Sequence, residues 1–514
     1  MNTTETSTPV VDTTSGKVRG EVSGGISAFR GIPYSAPAGG LNRFMPPVRP
    51  EPWAGVREVM AYGPIAPQTS GGNGRGAASP IEDSTGREAE DCLVLNVYTP
   101  GVGDASRPVM FWIHGGGFVS GSGGAAYDGT NLARRGDVVV VSINHRLGAP
   151  GYLNLGDLGG SEFSASGNVG QLDIVAALEW VRDNIAGFGG DPANVTIFGE
   201  SGGGRKVACL MAMPGAKGLF HKAIIQSGPG IRVNERTYAT DLAGLVLAEL
   251  GLKASQLRDL QQVPLARLMA AQFVALAKVT SSGDRGGFRP VIDETVLPHH
   301  PFDPVAPGES SDVPLLIGFN RTEATLFLAN DKEVFELDEA GLQRRTERLF
   351  RERAGRVLAG MRECYPDATP SELYILIDTG MRRYPIDSIK IAERKAAAGG
   401  APVFHYRFEW ESPARFGKMR TPHALEIPFV FDNVAGGSWR GMTRATPDAQ
   451  ALAAKVSATW AAFARTGVPD SGDLPVWEPY SAAERKTMVI DNESRIVSDP
   501  ASAERKLWES VFYG

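Results

Sequence analysis

The chain has 514 residues, of which 42% are hydrophobic and 21% charged, so there is ample apolar material for a large folded core. Its 52 Lys and Arg residues against 58 Asp and Glu residues leave a net charge of -6, which gives no electrostatic reason to bind nucleic acid or an anionic membrane. The 62 glycines follow no fixed period, which excludes collagen-like and low-complexity chains. A globular protein with a small-molecule or neutral partner is favoured.

Three features of the sequence predict a cytoplasmic location. Residues 1–12 are rich in Thr and Ser and lack the basic and apolar regions of a secretory signal. Apolar runs such as residues 138–141 are far shorter than the roughly 18 residues that a membrane span needs. The cysteines Cys92, Cys209 and Cys364 are too few and too scattered for a disulfide framework, and no C-x-x-C pair indicates zinc. We therefore expect a reducing compartment and neither a membrane span nor a bound metal.

Short apolar runs alternate with helical patterns along the chain. Strands are predicted at residues 94–98, 109–113, 137–143, 195–198, 222–226, 313–319, 402–410 and 486–491. Helices are predicted at residues 170–184, 240–250, 264–279, 338–358, 371–382, 388–398 and 448–466. This alternation predicts an α/β fold with a mostly parallel sheet and helices on both faces. The Gly- and Ser-rich stretch 69–90 is predicted to be a surface loop, with a mobile flap near a binding site as the alternative.

The strand at residues 109–113 runs into His114-Gly115-Gly116-Gly117. Backbone N–H groups in such a glycine run lack side-chain obstruction and can approach an oxyanion. The alternative is a flexible loop. A dinucleotide fingerprint is a poor competitor because these glycines do not follow the G-x-G-x-x-G spacing, and the Gly-Lys pairs at 16–17 and 417–418 lack a Walker A pattern. The motif therefore favours an oxyanion-binding loop over a phosphate-binding loop.

The predicted strand 195–198 continues into Gly199-Glu200-Ser201-Gly202-Gly203 and then into a stretch compatible with a helix. This is the context of a nucleophile elbow, in which glycines permit a cramped strand-turn-helix and the serine hydroxyl projects from it. The helix amino terminus also favours developing negative charge. A plain turn in a glycine-rich chain is the alternative. The preceding strand favours Ser201 as a nucleophile.

A serine nucleophile needs a histidine base, and in this arrangement the base follows the serine along the chain. This order excludes His114 and His145 and leaves five candidates, which are His221, His299, His300, His405 and His423. His405 lies in a predicted strand, His221 follows the serine too closely, and the pair at 299–300 is predicted to be exposed beside prolines. His423 lies in a loop after the strand that ends near residue 410. We therefore predict His423 as the base.

The acid that orients the base is expected between the serine and the histidine. Glu323 lies just beyond the carboxyl end of the predicted strand 313–319, where α/β sheets place functional groups. A surface carboxylate or a helix cap is the alternative role. The order Ser201, Glu323, His423, with each residue in a loop that follows a predicted strand, predicts a catalytic triad.

Several further segments resemble the type-B carboxylesterases, a serine-esterase family that also contains the cholinesterases. The similar segments span nearly the whole chain: FRGIPY at 29–34, EDCLVLNVY at 90–98, GNVGQLD at 167–173, FGGDP at 188–192, FHKAI at 220–224, QSG at 226–228 and HALEIPF at 423–429. The resemblance implies an α/β-hydrolase fold with large helical and loop insertions, ester hydrolysis through an acyl-enzyme, and no cofactor.

The resemblance also implies roles for individual residues. It matches the triad given above and implies that the oxyanion is bound by the N–H groups of Gly116, Gly117 and Gly202, where the family usually has alanine at position 202. Glu200 and Ser227 match positions that line or support the site in relatives. Amide or carbamate cleavage by the same triad is the alternative activity, and a non-catalytic binding module is a remote one.

The chain departs from the family pattern at three places. Ala66 replaces a cysteine that often pairs with the position of Cys92, so that disulfide cannot form. Arg205 and Lys206 follow the elbow where relatives carry small residues; they are predicted to be solvated surface charges, with a bias toward acidic substrates as the alternative. His145 takes a position that usually holds tyrosine, and no role is predicted for it.

The length alone is compatible with about three domains. However, the predicted site draws residues from near 116, 201, 323 and 423, which must converge on one sheet. We therefore expect residues 1–514 to form a single α/β-hydrolase domain with insertions over the active site.

Overall fold

A computed structural model describes residues 8–68, 86–281 and 286–514 of the chain. Most of the predicted loop or flap at 69–90 lies outside the described residues. The strands are β1 (Val10–Thr13), β2 (Gly16–Arg19), β3 (Glu21–Ser23), β4 (Ile26–Pro33), β5 (Val56–Glu58), β6 (Val94–Thr99), β7 (Arg107–Ile113), β8 (Val139–Ile143), β9 (Gly190–Glu200), β10 (Lys222–Gln226), β11 (Leu315–Asn320), β12 (Val403–Phe408), β13 (Lys486–Ile490) and β14 (Arg495–Ser498).

Eleven of these strands form one sheet, in the order β14-β13-β12-β11-β10-β9-β7-β8-β6-β4-β3. The seven strands from β13 to β8 in this order are parallel, and antiparallel strands complete both edges. Every residue of β8 and β10 is buried, as expected for parallel strands that are covered on both faces. The strands β1, β2 and β5 form a separate small sheet.

The helices are α1 (Thr130–Gly136), α2 (Gly148–Tyr152), α3 (Gly156–Gly159), α4 (Val169–Asn184), α5 (Gly202–Met211), α6 (Arg236–Leu250), α7 (Leu257–Leu260), α8 (Leu265–Ser281), α9 (Ala324–Leu328), α10 (Glu339–Phe350), α11 (Ala354–Cys364), α12 (Pro370–Met381), α13 (Tyr384–Ala398), α14 (Ile427–Val430), α15 (Arg440–Thr443), α16 (Pro447–Thr466) and α17 (Ser502–Phe512). Among the described helices, none is long and apolar enough to cross a membrane.

Two hydrophobic cores cover the two faces of the large sheet. Helices α4, α5 and α13 contribute to one core, and helices α1, α14 and α16 contribute to the other. Helices α6 and α8 pack with α2 in a third cluster, while α10, α11, α12 and α17 surround α9 in a fourth. The sheet with helices on both faces confirms the predicted α/β fold, and the outer clusters are the helical insertions.

All eight predicted strands are present, with ends that differ by a few residues. The predicted single helix at 338–358 is wrong. It is two helices, α10 and α11, because the backbone turns at Arg351, which has a left-handed φ of 51°. The prediction missed this break because Arg351 carries no local breaker signal such as Gly or Pro.

Candidate active site

The carboxyl ends of the central parallel strands carry the predicted site residues. The glycine run at 115–117 follows β7, Ser201 follows β9, Glu323 follows β11, and His423 lies in the loop after β12. Parallel strands end at the same edge of a sheet, so these segments meet where α/β proteins place their ligands. The sheet thus brings together all the residues that the sequence analysis placed in the site.

Ser201 occupies a sharp turn between β9 and α5, with φ 56° and ψ -118°. A non-glycine residue with such a φ is strained, and strain of this kind is concentrated at functional sites. The turn is closely packed, since a Cβ atom at Gly203 would lie 2.0 Å from the Ile113 carbonyl oxygen. The side chain of Ser201 is half-buried, whereas Gly202 and Gly203 are fully buried. The local geometry is that of a nucleophile elbow.

His423 and Glu323 form a buried pair. The Nδ1 atom of His423 lies 2.6 Å from Glu323 Oε2, and both side chains are at most 2% exposed. Glu323 Oε1 accepts a 2.7 Å hydrogen bond from the Asn320 backbone N–H. Burial raises the pKa of Glu323 to about 8, while the Ser227 hydroxyl, the Asn320 amide and the charge of Arg382 act in the opposite direction. Glu323 is therefore placed to hold the imidazole with a proton on Nδ1.

The histidine loop is held against the glutamate loop by backbone contacts. Thr322 N–H donates to the Thr421 carbonyl at 3.1 Å, and Thr421 N–H donates back to the Thr322 hydroxyl at 2.9 Å. His423 N–H donates to the Glu323 carbonyl at 3.3 Å. The Asn320 side chain adds a 2.8 Å hydrogen bond to the carbonyl of residue 422. These contacts join two segments that are about 100 residues apart and fix the spacing of the pair.

The other imidazole nitrogen faces the nucleophile elbow. His423 Nε2 lies 3.0 Å from Oε1 of Glu200, the fully buried residue that precedes Ser201. The Tyr384 ring stacks on the imidazole at 4.8 Å and 15°, and the Phe327 ring lies 5.1 Å away. The imidazole is therefore held with Nδ1 toward Glu323 and Nε2 toward the Glu200-Ser201 turn.

The glycine run after β7 lies against the amino terminus of α5. Gly116 and Gly117 have φ of 80° and 67°, values that L side chains rarely adopt. A Cβ atom at Gly202 would lie 2.1 Å from the Gly117 carbonyl oxygen and 2.5 Å from its nitrogen. The absence of a side chain at position 202 therefore allows the loop to approach the helix amino terminus, where backbone N–H groups are free of helical partners.

The prediction that Arg205 and Lys206 are surface charges is wrong for Lys206, which is fully buried. Lys206 Nζ donates hydrogen bonds to the Gly117 carbonyl at 2.8 Å and the His114 carbonyl at 3.2 Å. It also lies 5.2 Å from the centre of the Phe118 ring. Burial lowers the pKa of Lys206 to about 7, with the charge of Arg205 acting in the same direction. Sequence reasoning failed here because buried lysines are rare.

Arg205 is half-buried and lies one helical turn after Ser201. Within residues 201–211, these two are the only residues that are not buried, and their spacing of four places them on the same side of the helix. Burial raises the pKa of the nearby Tyr384, and the positive charge of Arg205 opposes this shift. Arg205 is therefore placed near the site with a positive charge. Whether this charge favours acidic substrates stays a prediction.

His145, for which no role was predicted, stacks on His114. Their ring centres are 4.6 Å apart and the planes differ by 8°. Burial lowers the pKa of His114 to about 3, and it also lowers that of His145, with the charge of Lys206 adding to both shifts. Two neutral imidazoles therefore pack beside the buried lysine, and His145 has a structural place next to the glycine run.

The remaining histidines lie elsewhere. His405 is within β12 and contacts the Thr487 hydroxyl at 3.0 Å, while His221 Nδ1 accepts from the Val195 N–H. The prediction of exposed loop residues is wrong for His300, which is buried with Nε2 3.1 Å from Glu235. Its burial follows from packing between distant segments, which flanking prolines do not reveal.

Sequence reasoning assigned no role to Glu426. It is buried one turn after His423, accepts a 2.5 Å hydrogen bond from the Asn320 side chain, and faces the Gln226 amide at 3.3 Å. Burial, followed by the charge of Glu323, raises the pKa of Glu426 to about 7. Two features of the sequence could have indicated a role for Glu426. It lies three residues after His423, and it is a charged residue within an apolar run.

Cys92, Cys209 and Cys364 are free thiols. No group of three or more His, Cys, Asp or Glu side chains within residues 8–68, 86–281 and 286–514 is arranged to hold a metal ion.

A large, mostly parallel sheet with an elbow serine at one strand end and a buried acid-histidine pair at two others defines an α/β-hydrolase. A model of the Carboxylesterase family matches residues 7–508. The chain therefore belongs to the carboxylesterase family and is a serine hydrolase that cleaves carboxylic esters.

Two relatives illustrate the similarity along the chain. The para-nitrobenzyl esterase of Bacillus subtilis is 38% identical over 501 residues, which cover 97% of this chain and 98% of the relative. The phenmedipham hydrolase of Pseudarthrobacter oxydans is 35% identical over 501 residues, covering 95% and 96%. Both alignments span nearly the full length of the two proteins compared.

Solved structures give the same result. A thermophilic para-nitrobenzyl esterase superposes with a TM-score of 0.82 at 36% identity, covering 97% of this chain and 99% of the other. A carboxylesterase of Geobacillus stearothermophilus superposes with the same TM-score, identity and coverage. These similarities confirm the predicted α/β-hydrolase fold and the predicted family.

Proposed function

We propose that Ser201, His423 and Glu323 are the catalytic triad of this carboxylic ester hydrolase. The observation that carries the proposal is the buried 2.6 Å contact between His423 and Glu323, with the second imidazole nitrogen directed at the Glu200-Ser201 turn. In the proposed reaction, His423 Nε2 accepts the Ser201 proton as the hydroxyl attacks the ester carbonyl. Glu323 keeps the proton of the neutral imidazole on Nδ1 and stabilises the imidazolium that forms.

The tetrahedral oxyanion is bound by the N–H groups of Gly116, Gly117 and Gly202 in this proposal. Support comes from the close approach of the glycine run to the amino terminus of α5, which places unobstructed backbone at the turn that carries Ser201. The imidazolium then gives its proton to the departing alcohol, leaving an acyl-enzyme. Water attacks the acyl-enzyme with His423 again as the base and releases the acid.

Glu200 and Ser227 support this machinery. The Glu200 carboxyl lies 3.0 Å from His423 Nε2, so a negative charge there would favour the imidazolium intermediate. The Ser227 hydroxyl lowers the pKa of Glu323, which favours the carboxylate that the triad requires. Both residues therefore act on the charge states of the pair rather than on the substrate.

The assignment of Ser201 is tested with Ser201→Ala on p-nitrophenyl acetate and p-nitrophenyl butyrate. We expect a loss of kcat on the order of 10⁴- to 10⁶-fold, because the remaining site can only bind the substrate and the oxyanion. Ser457→Ala is the matched control, since Ser457 is a buried serine within α16. Unchanged turnover by Ser201→Ala would rule out the proposed nucleophile.

Carbamate or amide cleavage by the same residues is the second candidate. It is favoured by the similarity to a phenmedipham hydrolase, so phenmedipham is a suitable test substrate. Matched ester, carbamate and anilide substrates compared at equal concentration would separate the activities. We expect the ester to have the highest kcat/KM, and a higher value for the carbamate or anilide would reverse the assignment.

We infer that the enzyme acts in the cytoplasm on small ester substrates and does not bind nucleic acid. Support comes from its net charge of -6 and its free cysteines. Recovery of the untagged enzyme in the cytosolic fraction of its source cells would test the location.

A further inference from the structure

In the proposed function, the glycine run at residues 115–117 binds the oxyanion. Lys206 holds this run through two hydrogen bonds. The ammonium donates to the carbonyl oxygens of His114, which precedes the run, and of Gly117, its last residue. Gly115, Gly116 and Gly117 themselves have no side chains with which to pack. The two lysine contacts therefore tie this segment to α5, in addition to the hydrogen bonds that the Ser120 N–H and hydroxyl donate to the Gly116 carbonyl.

The lysine is itself rigidly enclosed. Its side chain is fully buried in α5, and its Nζ lies 5.2 Å from the centre of the Phe118 ring. The groups that interact with it electrostatically are Arg205, Cys209, His114 and His145. None of these four is a carboxyl, so within the part of the chain that the structure describes Lys206 has no carboxylate counterion of the kind that a buried charge usually has. The ammonium is instead held by the carbonyl oxygens of His114 and Gly117.

The position of the lysine on α5 links it to the nucleophile. Ser201 caps this helix, and Lys206 lies five residues later, so one short helix carries both the attacking hydroxyl and the clamp on the glycine run. The close approach of Gly202 to Gly117 completes the contact between the helix and the run. Any shift of the glycine run relative to Ser201 must break the hydrogen bonds of Lys206.

We propose that Lys206 is a positioning residue that holds the oxyanion-binding glycine run in register with Ser201, an inference that rests on the proposed function. Its ammonium does not touch the substrate. It acts by restraining the Gly116 and Gly117 N–H groups at the place where negative charge develops in the transition state. A neutral amine retains two N–H donors, so the restraint persists when the proton is lost.

The proposal predicts a specific kinetic pattern for Lys206→Met. A displacement of about 1 Å in a catalytic group can cost up to 10²-fold in rate, so we expect kcat to fall about 10- to 100-fold. KM should change less than about threefold, because ground-state binding does not need the restrained oxyanion donors. The affinity for a trifluoromethyl ketone, which forms a hemiketal oxyanion with an active-site serine, should fall in parallel with kcat.

Lys395 offers a matched control. It is also buried, and its Nζ donates to the carbonyl oxygens of Ser310 at 2.7 Å and Ser311 at 3.1 Å, but it lies on α13 outside the site. Lys395→Met should retain kcat and inhibitor affinity even if its melting temperature falls. Comparison of the two variants thus separates loss of positioning from loss of stability.

Several outcomes would overturn the proposal. They are unchanged kcat in Lys206→Met, a rise in KM at constant kcat, or an equal loss of kcat in Lys395→Met. If Lys206→Met does not yield folded protein, Lys206→Leu tests the same claim, since it also lacks a donor; the expected loss of kcat is the same and the same results contradict it. Ser201→Ala measured alongside distinguishes the two hypotheses, because an active Ser201→Ala enzyme refutes the triad and not merely the clamp.

Discussion

Burial determines how the individual residues of the site behave. Glu323 and Glu426 lose the solvation that would keep them ionised, and burial raises the pKa of both carboxyls to neutral or higher values. Burial lowers the pKa of Lys206, because an ammonium group also loses solvation in the protein interior. The enclosed site therefore contains groups whose charges change near neutral pH, which is where a general base is most effective.

The pH dependence of the reaction follows from the Glu323-His423 pair. Burial raises the pKa of Glu323 to about 8, and Glu323 stabilises the imidazolium only as a carboxylate. We therefore expect kcat/KM to rise with pH, with a midpoint near pH 8, and to level off above about pH 9. Steady-state kinetics on a neutral ester between pH 5.5 and 9.5 would measure the rise.

Ser227→Ala provides the matched comparison for that profile. The Ser227 hydroxyl lowers the pKa of Glu323, so its removal should raise that pKa and shift the rising limb to higher pH. A wild-type profile that is flat between pH 6 and 9, or a shift to lower pH in the variant, would contradict the assignment of the limb to this pair.

The elements that hold the site were predictable to very different degrees. The strands β7, β9, β11 and β12 were predicted because each is a continuous apolar run that ends in loop residues. Ser201 and Glu323 closely follow their strands, so topology brings them to one edge, whereas His423 reaches that edge through contacts between its loop and the Glu323 loop. The candidate site was therefore largely predictable from strand positions and chain order.

The parts that sequence reasoning missed depend on contacts between distant segments. Strand β4 and helix α17 were not predicted because their burial comes from partners far along the chain. The burial of Lys206 similarly requires the carbonyls of residues 114 and 117, about 90 positions earlier. Local patterns do not contain such information, since tertiary packing overrides residue preference.

One ion pair joins two elements near the site and gives a stability prediction. Arg146, after β8, and Asp173, on α4, are almost fully buried and make side-chain hydrogen bonds of 2.6 and 2.8 Å. Asp173→Asn would leave the guanidinium without its counterion, so we expect the free energy of unfolding to fall by about 3 to 5 kcal/mol. Urea denaturation followed by tryptophan fluorescence would measure it.

The control for this variant is an exposed pair. Lys17 and Asp12 lie 3.7 Å apart with side chains that are 55% and 80% exposed, so Asp12→Asn should change stability little. Equal stability of the Asp173→Asn and wild-type proteins would show that the buried pair does not hold β8 and α4 together.

At the scale of the whole molecule, we propose that residues 1–514 form a single hydrolase domain with insertions. The main support is the large sheet, which incorporates strands from β3 near the amino terminus to β14 near the carboxyl terminus. Residues of the proposed site come from five segments between positions 116 and 423, so the site spans more than half of the chain. The proposed site accounts for some of the 62 glycines, since the run at 115–117 and the elbow around Ser201 are built from them.

The most direct test of the account is covalent labelling of the folded enzyme with a fluorophosphonate, followed by peptide mass spectrometry. The activated serine should attack phosphorus and displace fluoride, so we predict one adduct per chain, located on Ser201, with activity lost in proportion to labelling. Ser201→Ala should remain unlabelled, whereas the control Ser457→Ala should label like the wild type. Labelling of a different serine, or full activity after stoichiometric modification of Ser201, would contradict the proposed mechanism.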